Sequence, residues 1–150
     1  MDVSDKIQAL VDQAAIVSLS HDYASAVDQF DNARFLSLFS DDAIFVGHNG
    51  FRYSGRDKIS AIVPGLKELF VSTWHAVHQV NVKISGDHAT GETYCTARYI
   101  SRSESRESEV TTMTIRYRDE LVRFAEGWRF RCRRQCQTWM EIGPISVFRK

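Results

Sequence analysis

The first part of the chain carries apolar residues at the spacing of a helix. From about Ser4 to Asp28 they form one stripe that repeats about every 3.6 residues, made up of Ile7, Leu10, Ala14, Val17 and Ala24. Ser4 is a suitable N-cap, and the acidic Asp5 in the first turn suits the positive end of the helix dipole. The segment is therefore predicted to be one long helix whose stripe faces the core.

Two shorter helices are predicted next. Asp31 and Asn32 indicate a break and a new cap, followed by a short helix with apolar residues on one side. A third helix, over 54–70, is predicted from Ser54 with an acidic residue three positions later, which resembles a capping box. Pro64 lies inside this helix and is expected to kink or divide it.

The periodicity changes from that of a helix to that of a strand after Trp74. Apolar residues then alternate with polar ones, and turns at Gly86 and Gly127 separate the long runs. Strands are predicted over 43–46, 80–84, 89–100, 110–124 and 128–140. Residues 102–108 are serine, glutamate and arginine only, which predicts an exposed hairpin loop.

Helices first and long antiparallel strands afterwards are typical of the α+β class. Three N-terminal helices covering one face of a strongly curved, mixed but mostly antiparallel sheet would form a cone that encloses a pocket. The 150 residues suffice for a core and a pocket in a single domain, 1–150.

Composition narrows the possible function classes. The 19 basic and 19 acidic residues give no positive surplus for binding nucleic acid. No apolar run approaches the ~18 residues of a membrane helix, and the acidic N-terminus lacks the apolar stretch of a signal peptide. The three cysteines form no CxxC pair, and no metal-ligand set or nucleotide-binding motif is present. These features predict a cytoplasmic protein without metal or cofactor and without nucleic-acid or membrane partners.

Short stretches spread along the chain resemble one known family. They are Ala15-Ile16, Tyr23-Ala24, Val27-Asp28, 38–43, Gly55-Arg56, His75, Gly86-Asp87, Tyr117 and 127–129. In order and spacing they resemble the SnoaL-like domains of the nuclear-transport-factor-two-like superfamily, nearest to its scytalone dehydratase-like and dehydrochlorinase-like subgroup. The resemblance implies a cone-shaped fold. It leaves the reaction open, because the superfamily contains dehydratases, isomerases and dehydrochlorinases as well as proteins that only bind ligands.

Asp28 is the strongest candidate for a functional residue. It falls within the apolar stripe, where a carboxylate is costly unless it has a partner, whereas Asp12 and Asp22 lie off the stripe and are expected to be solvated. The alternative is that Asp28 simply ends the helix and binds a backbone amide or an arginine. In the dehydratases and dehydrochlorinases of the family, an aspartate at the matching position works with a histidine, and the resemblance places that histidine at His75.

Two histidines compete for the position beside Asp28. The apolar residues of 80–84 share strand parity with His78, so simple alternation would turn His78 inward. A β-bulge near the start of the strand would reverse this and bring His75 inward instead. The family spacing favours His75.

Aromatic residues are expected to line the pocket. The candidates for contact with a substrate are Tyr23, Phe45, Trp74 and Tyr94. His78 is kept as a further contact. Arg133 is the candidate for binding a substrate anion. The alternative is structural: by alternation Arg133 shares a face with Arg129 and Arg131, and acidic residues of the preceding strand would pair with this row of charges.

The leading hypothesis is a cofactor-independent lyase, most simply a dehydratase. Asp28 and His75 would act as an acid/base dyad on a small hydrophobic cyclic or aromatic hydroxylated carbonyl compound. The alternatives are a non-catalytic small-molecule-binding module, an accessory subunit of an oxygenase, or an isomerase of the ketosteroid type. One departure argues against scytalone itself as the substrate: Val27 stands where that dehydratase has a tyrosine. Apolar residues on both faces of the long strands predict a homo-oligomer, either a dimer or a trimer.

Overall fold

Helix α1 spans Val3–Asp28 in a computed structural model that describes residues 1–102 and 108–146. Its N-cap is Asp2 and not the predicted Ser4. The Asp2 carboxylate accepts the N–H of Asp5 at 3.0 Å, and the Asp5 carboxylate accepts the N–H of Asp2 at 3.3 Å. This reciprocal capping box satisfies two N–H groups that the helix itself leaves unpaired.

The buried face of α1 is not the predicted apolar stripe. Residues 1–11 are all exposed, among them Ile7 at 57% and Leu10 at 66%. The buried residues of this helix are Asp12, Ile16, Leu19, Ser20, Tyr23, Ala24, Ala26 and Val27. Only the part of the helix from Asp12 onward packs against the rest of the protein. Burial along α1 therefore depends on where the helix contacts the sheet, and not on the hydropathy of its residues.

The third predicted helix is divided in two, so the described residues form four helices. Helix α2, Asn32–Ser37, is capped by Asp31 as predicted. Helices α3, Arg56–Ile59, and α4, Ile62–Leu69, replace the single helix over 54–70. Pro64 falls in the first turn of α4, where a missing N–H breaks no helical hydrogen bond. The predicted capping box is wrong, because Gly55 occupies the N-cap at a φ of 84° and no side chain caps it.

The strands form one mixed sheet of six strands within the described residues. They are β1 Phe39–Val46, β2 Arg52–Ser54, β3 Phe70–Ser85, β4 His88–Ser101, β5 Ser108–Phe124 and β6 Gly127–Ile145. Their order across the sheet is β2-β1-β6-β5-β4-β3. Only the pairing of β1 with β6 is parallel. The predicted α+β class with a curved, mostly antiparallel mixed sheet is confirmed, whereas residues 103–107 of the predicted hairpin loop lie outside the described residues.

Three pairings carry register shifts. In β1–β6 the register shifts between Phe39 and Ile44; β3–β4 has two shifts, one of them between Val77 and Val80; and β5–β6 also has two. An extra residue on one strand bends it and increases its twist, which curves the sheet. The inner face of the curve holds the core, and along β4 and β5 alternate residues such as Ala97 and Ile115 are fully buried. Helix α1 lies against β3 and β6 on this inner side. In the described part of the chain, no helix is both long and apolar enough to cross a membrane.

Candidate active site

The end of helix α1 meets strand β3 through one carboxylate. Asp28 is the last residue of α1, and its Oδ1 lies 2.7 Å from the Nδ1 atom of His75. Its Oδ2 accepts the backbone N–H of His75 at 2.9 Å, and the Thr73 hydroxyl donates to Oδ1 at 2.8 Å. Three donors from one strand therefore fix the carboxylate, and the carboxylate in turn fixes the imidazole ring.

The bulge in β3 decides which histidine reaches Asp28. His75 pairs with the fully buried Ala97, and the next register shift along β3 falls after Val77. The His75 side chain is 2% exposed and that of Asp28 is 22% exposed. His78 lies on the outer face of the sheet, is exposed, and its Nε2 contacts the Thr96 hydroxyl at 2.8 Å. The bulge that would turn His75 inward is therefore present.

The second ring nitrogen of His75 contacts a phenol. Its Nε2 lies 3.1 Å from the Tyr99 hydroxyl, and the two rings meet edge to face with centroids 5.5 Å apart. Since Nδ1 faces a carboxylate, the contacts assign the proton of a neutral ring to Nδ1 and leave Nε2 as the acceptor. Burial raises the pKa of Tyr99 far above its usual value, so its hydroxyl stays protonated.

A cavity of about 320 Å³ opens on the Tyr99 side of His75. Its walls come from α1, α4, all six strands and the loop that joins β1 to β2. They include Tyr23, Val27, Phe45, His48, Tyr53, Leu66, Phe70, His75, Tyr99, Met113, Tyr117 and Gln135. No lysine, arginine, aspartate or glutamate of the described residues lines it. Burial also raises the pKa of Tyr23 to about 12 and that of Tyr117 well above its usual value. The cavity therefore offers neutral hydrogen-bonding groups in an apolar setting.

Two of the predicted pocket aromatics do not reach this cavity. Tyr23 and Phe45 line it, but Trp74 and Tyr94 point away from it. Trp74 is 69% exposed, and the Tyr94 hydroxyl donates to Glu92 at 3.1 Å. Both residues lie on the outer face of the sheet, as does His78 within the bulge. The structure therefore does not support a substrate contact for Trp74, Tyr94 or His78.

Asp28 itself does not line the cavity. It borders an open groove on the opposite side of His75, together with His21, Ser72 and Trp74. Asp28 therefore shares no cavity with the predicted contact residues Phe45 and Tyr94, and it meets Trp74 only at the open groove. His75 lines both the cavity and the groove, and it separates the carboxylate from the cavity.

Arg133 lies beneath the cavity wall. It is 1% exposed, its Nε is 3.3 Å from Asp119 Oδ1, and its guanidinium lies 4.1 Å from the ring of Tyr23 and 4.0 Å from that of Tyr117. Burial raises the pKa of Asp119 to about 6, although the nearby Arg133 opposes the rise. Because these rings and Asp119 surround it, Arg133 does not line the cavity, and the structure does not support the predicted contact with a substrate anion.

The alternation predicted for the last strand fails at a bulge. The register between β5 and β6 shifts where Leu121 pairs with Phe130 and Glu120 pairs with Cys132. The extra residue, Arg131, is exposed, and the shift turns Arg133 inward opposite Asp119. Contrary to the predicted alternation, Arg129, Arg131 and Arg133 therefore do not share one face.

Several residues of the cavity were not predicted from the sequence. Tyr99 and Tyr117 have the parity of the buried residues on their strands, so alternation could have found them. His48 follows the end of β1 at the cavity rim, and no sequence signal places it there. Among the described residues, no group of three or more His, Cys, Asp or Glu side chains is placed to hold a metal ion.

The comparisons with known proteins agree with this architecture. The family model described as a SnoaL-like domain matches residues 8–134. A candidate scytalone dehydratase of Novosphingobium aromaticivorans DSM 12444 is 21% identical, with a TM-score of 0.82 over 95% of this chain and 93% of that chain. A type 2 hexachlorocyclohexane dehydrochlorinase (LinA) is also 21% identical, with a TM-score of 0.81 over 95% of each chain.

A third solved structure has the same fold. It is the LinA-type3 hexachlorocyclohexane dehydrochlorinase of Novosphingobium barchaimii LL02, which is 19% identical with a TM-score of 0.79 over 95% of this chain and 96% of that chain. No curated protein sequence matches the chain. At these identities the structures establish the fold, and the family model covers most of the chain. The chain therefore belongs to the SnoaL-like domain family.

Proposed function

We propose that the protein is a cofactor-independent lyase, most simply a dehydratase, with Asp28 and His75 as its acid/base dyad. The observation that carries the proposal is the 2.7 Å contact between Asp28 Oδ1 and His75 Nδ1. It leaves Nε2 as a basic nitrogen on the side of an apolar cavity. A carboxylate that holds one imidazole nitrogen fixes the tautomer and strengthens the other nitrogen as a base.

In the proposed reaction, Nε2 takes a proton from the carbon beside the substrate carbonyl, and the electrons of that C–H bond form an enolate. Asp28 stabilises the resulting imidazolium. The enolate re-forms the carbonyl and expels the hydroxyl group of the β-carbon, which accepts the proton from His75 and leaves as water. The product is an enone, and His75 returns to its neutral form without an external acceptor.

The cavity indicates the class of substrate. Its volume of about 320 Å³ and its aromatic and aliphatic walls suit a small cyclic or aromatic compound. Because no permanently charged side chain among the described residues lines it, a carboxylate or phosphate would enter without a counter-ion. We therefore propose a neutral hydroxylated carbonyl compound.

The comparisons support elimination as the type of reaction. The similar structures carry the names of a dehydratase and of dehydrochlorinases. Both names denote the removal of a small molecule from neighbouring carbons. A base that takes one proton and then assists a leaving group serves either elimination.

The test uses 3-hydroxy-1-tetralone, a neutral bicyclic β-hydroxy ketone that yields fluorescent 1-naphthol when it loses water. We expect the wild-type protein to accelerate this reaction and His75→Ala to abolish the acceleration. His78→Ala is the matched control, because it removes the same side chain from the outer face of the same strand. Activity lost in His78→Ala but kept in His75→Ala would overturn the assignment. If the protein binds 3-hydroxy-1-tetralone and other cyclic β-hydroxy ketones tightly but converts none of them, the result would favour a non-catalytic binding module.

An isomerase of the ketosteroid type is the second candidate. The phenol of Tyr99 beside Nε2 of His75 suits it, because one base and one hydrogen-bond donor suffice to move a proton between two carbons. Mass spectrometry of the product separates the two reactions, since isomerisation leaves the mass unchanged and dehydration lowers it by one water.

A further inference from the structure

The hydroxyl of Tyr99 occupies the position that a substrate of His75 must approach. It lies 3.1 Å from Nε2, the ring nitrogen that Asp28 does not hold. The Tyr99 side chain is buried, and its ring packs against Phe70 with centroids 5.0 Å apart. The surroundings therefore fix the ring and the phenol oxygen beside Nε2, while the O–H bond can still turn about the C–O bond towards another acceptor.

The contact of His75 Nδ1 with Asp28 determines which partner donates in the hydrogen bond between Nε2 and Tyr99. Nδ1 donates its proton to Asp28, so Nε2 is the acceptor and Tyr99 is the donor. Burial keeps the phenol protonated by raising its pKa. The Tyr99 hydroxyl thus occupies the lone pair of Nε2. His75 can act as a base only when this hydroxyl donates to another acceptor.

We propose that the Tyr99 hydroxyl is a catalytic hydrogen-bond donor that moves from His75 Nε2 to the carbonyl oxygen of a bound substrate. The movement exposes Nε2 to the adjacent C–H bond, and the same hydroxyl then stabilises the negative oxygen of the enolate. This inference rests on the proposed function for the second of these steps only. The transfer of the hydrogen bond needs no more than a bound carbonyl compound.

The distances suit one substrate held between the two groups. Reacting atoms in a productive complex lie about 3–3.5 Å apart, and a carbonyl oxygen is two bonds from the carbon that loses its proton. With Nε2 and the phenol oxygen 3.1 Å apart, a ketone whose α-carbon faces Nε2 presents its oxygen to Tyr99. Tyr99 keeps its own proton throughout, while the C–H proton passes to Nε2.

The other phenols of the cavity are held differently. The rings of Tyr23 and Tyr117 cover the guanidinium of Arg133 at 4.1 Å and 4.0 Å. Within the described residues, Tyr99 is the tyrosine that hydrogen-bonds to His75. It is therefore the phenol whose hydroxyl is within reach of both the base and the reacting carbonyl.

The experiment uses 1-tetralone labelled with ¹³C at its carbonyl, a ketone that accepts hydrogen bonds but donates none. Isotope-edited infrared spectra of the bound ketone report whether its oxygen is hydrogen-bonded. We expect the C=O band of the wild-type complex to lie below its position in hexane, and to return towards that position in Tyr99→Phe. Tyr94→Phe is the matched control, because it removes a phenol oxygen from the outer face of the same strand. A band at the hexane position in the wild-type complex would overturn the inference without any variant.

Exchange of the α-protons of 1-tetralone in D₂O, followed by NMR, measures the second step. We expect Tyr99→Phe to slow protein-catalysed exchange by about 10²–10³-fold, as the loss of a single oxyanion donor does, and His75→Ala to abolish it. If the wild-type protein exchanges protons but its C=O band equals that of Tyr99→Phe, the base stands and the role of Tyr99 is wrong. If the band shifts as expected but no exchange occurs, Tyr99 is a binding donor and the proposed lyase fails.

Discussion

The carboxylate of Asp28 binds His75 at two places: Oδ1 lies 2.7 Å from the ring Nδ1, and Oδ2 accepts the backbone N–H at 2.9 Å. One side chain thereby fixes both the main chain and the ring of its partner. The ring is oriented before any substrate binds, which lowers the entropic cost of reaching a reactive geometry. This relationship leads to the first prediction.

Asp28 and His75 should behave as one unit in mutant kinetics. We expect His75→Ala and Asp28→Asn each to lower kcat by about 10²–10⁴-fold on 3-hydroxy-1-tetralone, with the fold retained by circular dichroism. The double variant should lose far less than the product of the two factors. Additive losses would show that the carboxylate acts independently of the histidine.

Asp12 should be important for stability, contrary to its predicted solvation. It is 5% exposed and accepts hydrogen bonds from Arg123 at 2.9 and 2.8 Å and from Trp128 at 3.0 Å. Burial raises the pKa of Asp12, but the hydrogen bonds from Trp128, Arg123 and Gln8 outweigh it and hold the pKa below its usual value. We expect Asp12→Ala to lower the free energy of unfolding by about 2–4 kcal/mol in urea titrations, because it leaves the N–H of the buried Trp128 without its acceptor and removes one of the two carboxylates that pair with Arg123.

Asp22 is the control for that measurement. It also pairs with an arginine, Arg34, at 2.7 Å, but its side chain is 46% exposed. Exposed ion pairs contribute less than about 1 kcal/mol, so Asp22→Ala should have little effect. Equal losses for the two aspartates would contradict the anchoring role of Asp12 between α1 and the sheet.

Asp119 should give the fold an unusual dependence on pH. Burial raises its pKa from 3.8 to about 6 in the folded state. The folded protein therefore holds this proton more tightly than the unfolded chain, and the resulting stability is complete below about pH 4 and lost as pH rises through about 6. The loss should reach up to about 3 kcal/mol, measured by urea unfolding across this range.

The control is the Asp119→Asn variant, in which the dependence of the free energy of unfolding on pH is measured in the same way. The variant leaves Arg133 without its counter-ion and should be less stable, but it should lack the fall in stability between pH 4 and 6 that is due to this carboxyl. An unchanged slope in Asp119→Asn would assign the pH dependence to another group.

Gly65 should control the size of the cavity. It lies inside helix α4 and lines the cavity, and no atom lies within 4 Å of where its Cβ would be. Gly65→Ala should raise stability by about 0.5–1 kcal/mol, since alanine favours the helix, and should still bind 1-tetralone. Gly65→Phe should fill the cavity and weaken binding at least about tenfold by calorimetry. Unchanged affinity in Gly65→Phe would place the binding site elsewhere.

The homo-oligomer stays a prediction. On the outer face of the sheet, Trp74 is 69% exposed and Trp139 is 58% exposed. Large exposed aromatics on one face favour contact with another protein surface. We expect light scattering at micromolar concentration to give the mass of a dimer or a trimer, and a monomer would contradict it.

The sequence by itself determined the kind and order of most elements, although it missed strand β2 and the first part of β3. Alternation along β4 and β5 predicts which residues face the core, because side chains of a strand point to opposite faces whatever surrounds them. The cap at Asp31 and the division of the helix near Pro64 also follow from local backbone chemistry. The resemblance to the family added the pairing of Asp28 with His75.

Only the tertiary structure decided which face of α1 is buried and which side chains of the strands point inward. The buried part of α1 begins at Asp12 and not at the start of the predicted apolar stripe, because the first eleven residues of the chain are exposed. The bulges after Val77 and beside Arg131 turned His75 and Arg133 inward, and a register shift depends on the partner strand as much as on its own residues. The contact of Tyr99 with His75 joins neighbouring strands across such a register. Alternation can place Tyr99 on the inner face of its strand, but the pairing of β4 with β3 decides which residue it meets there.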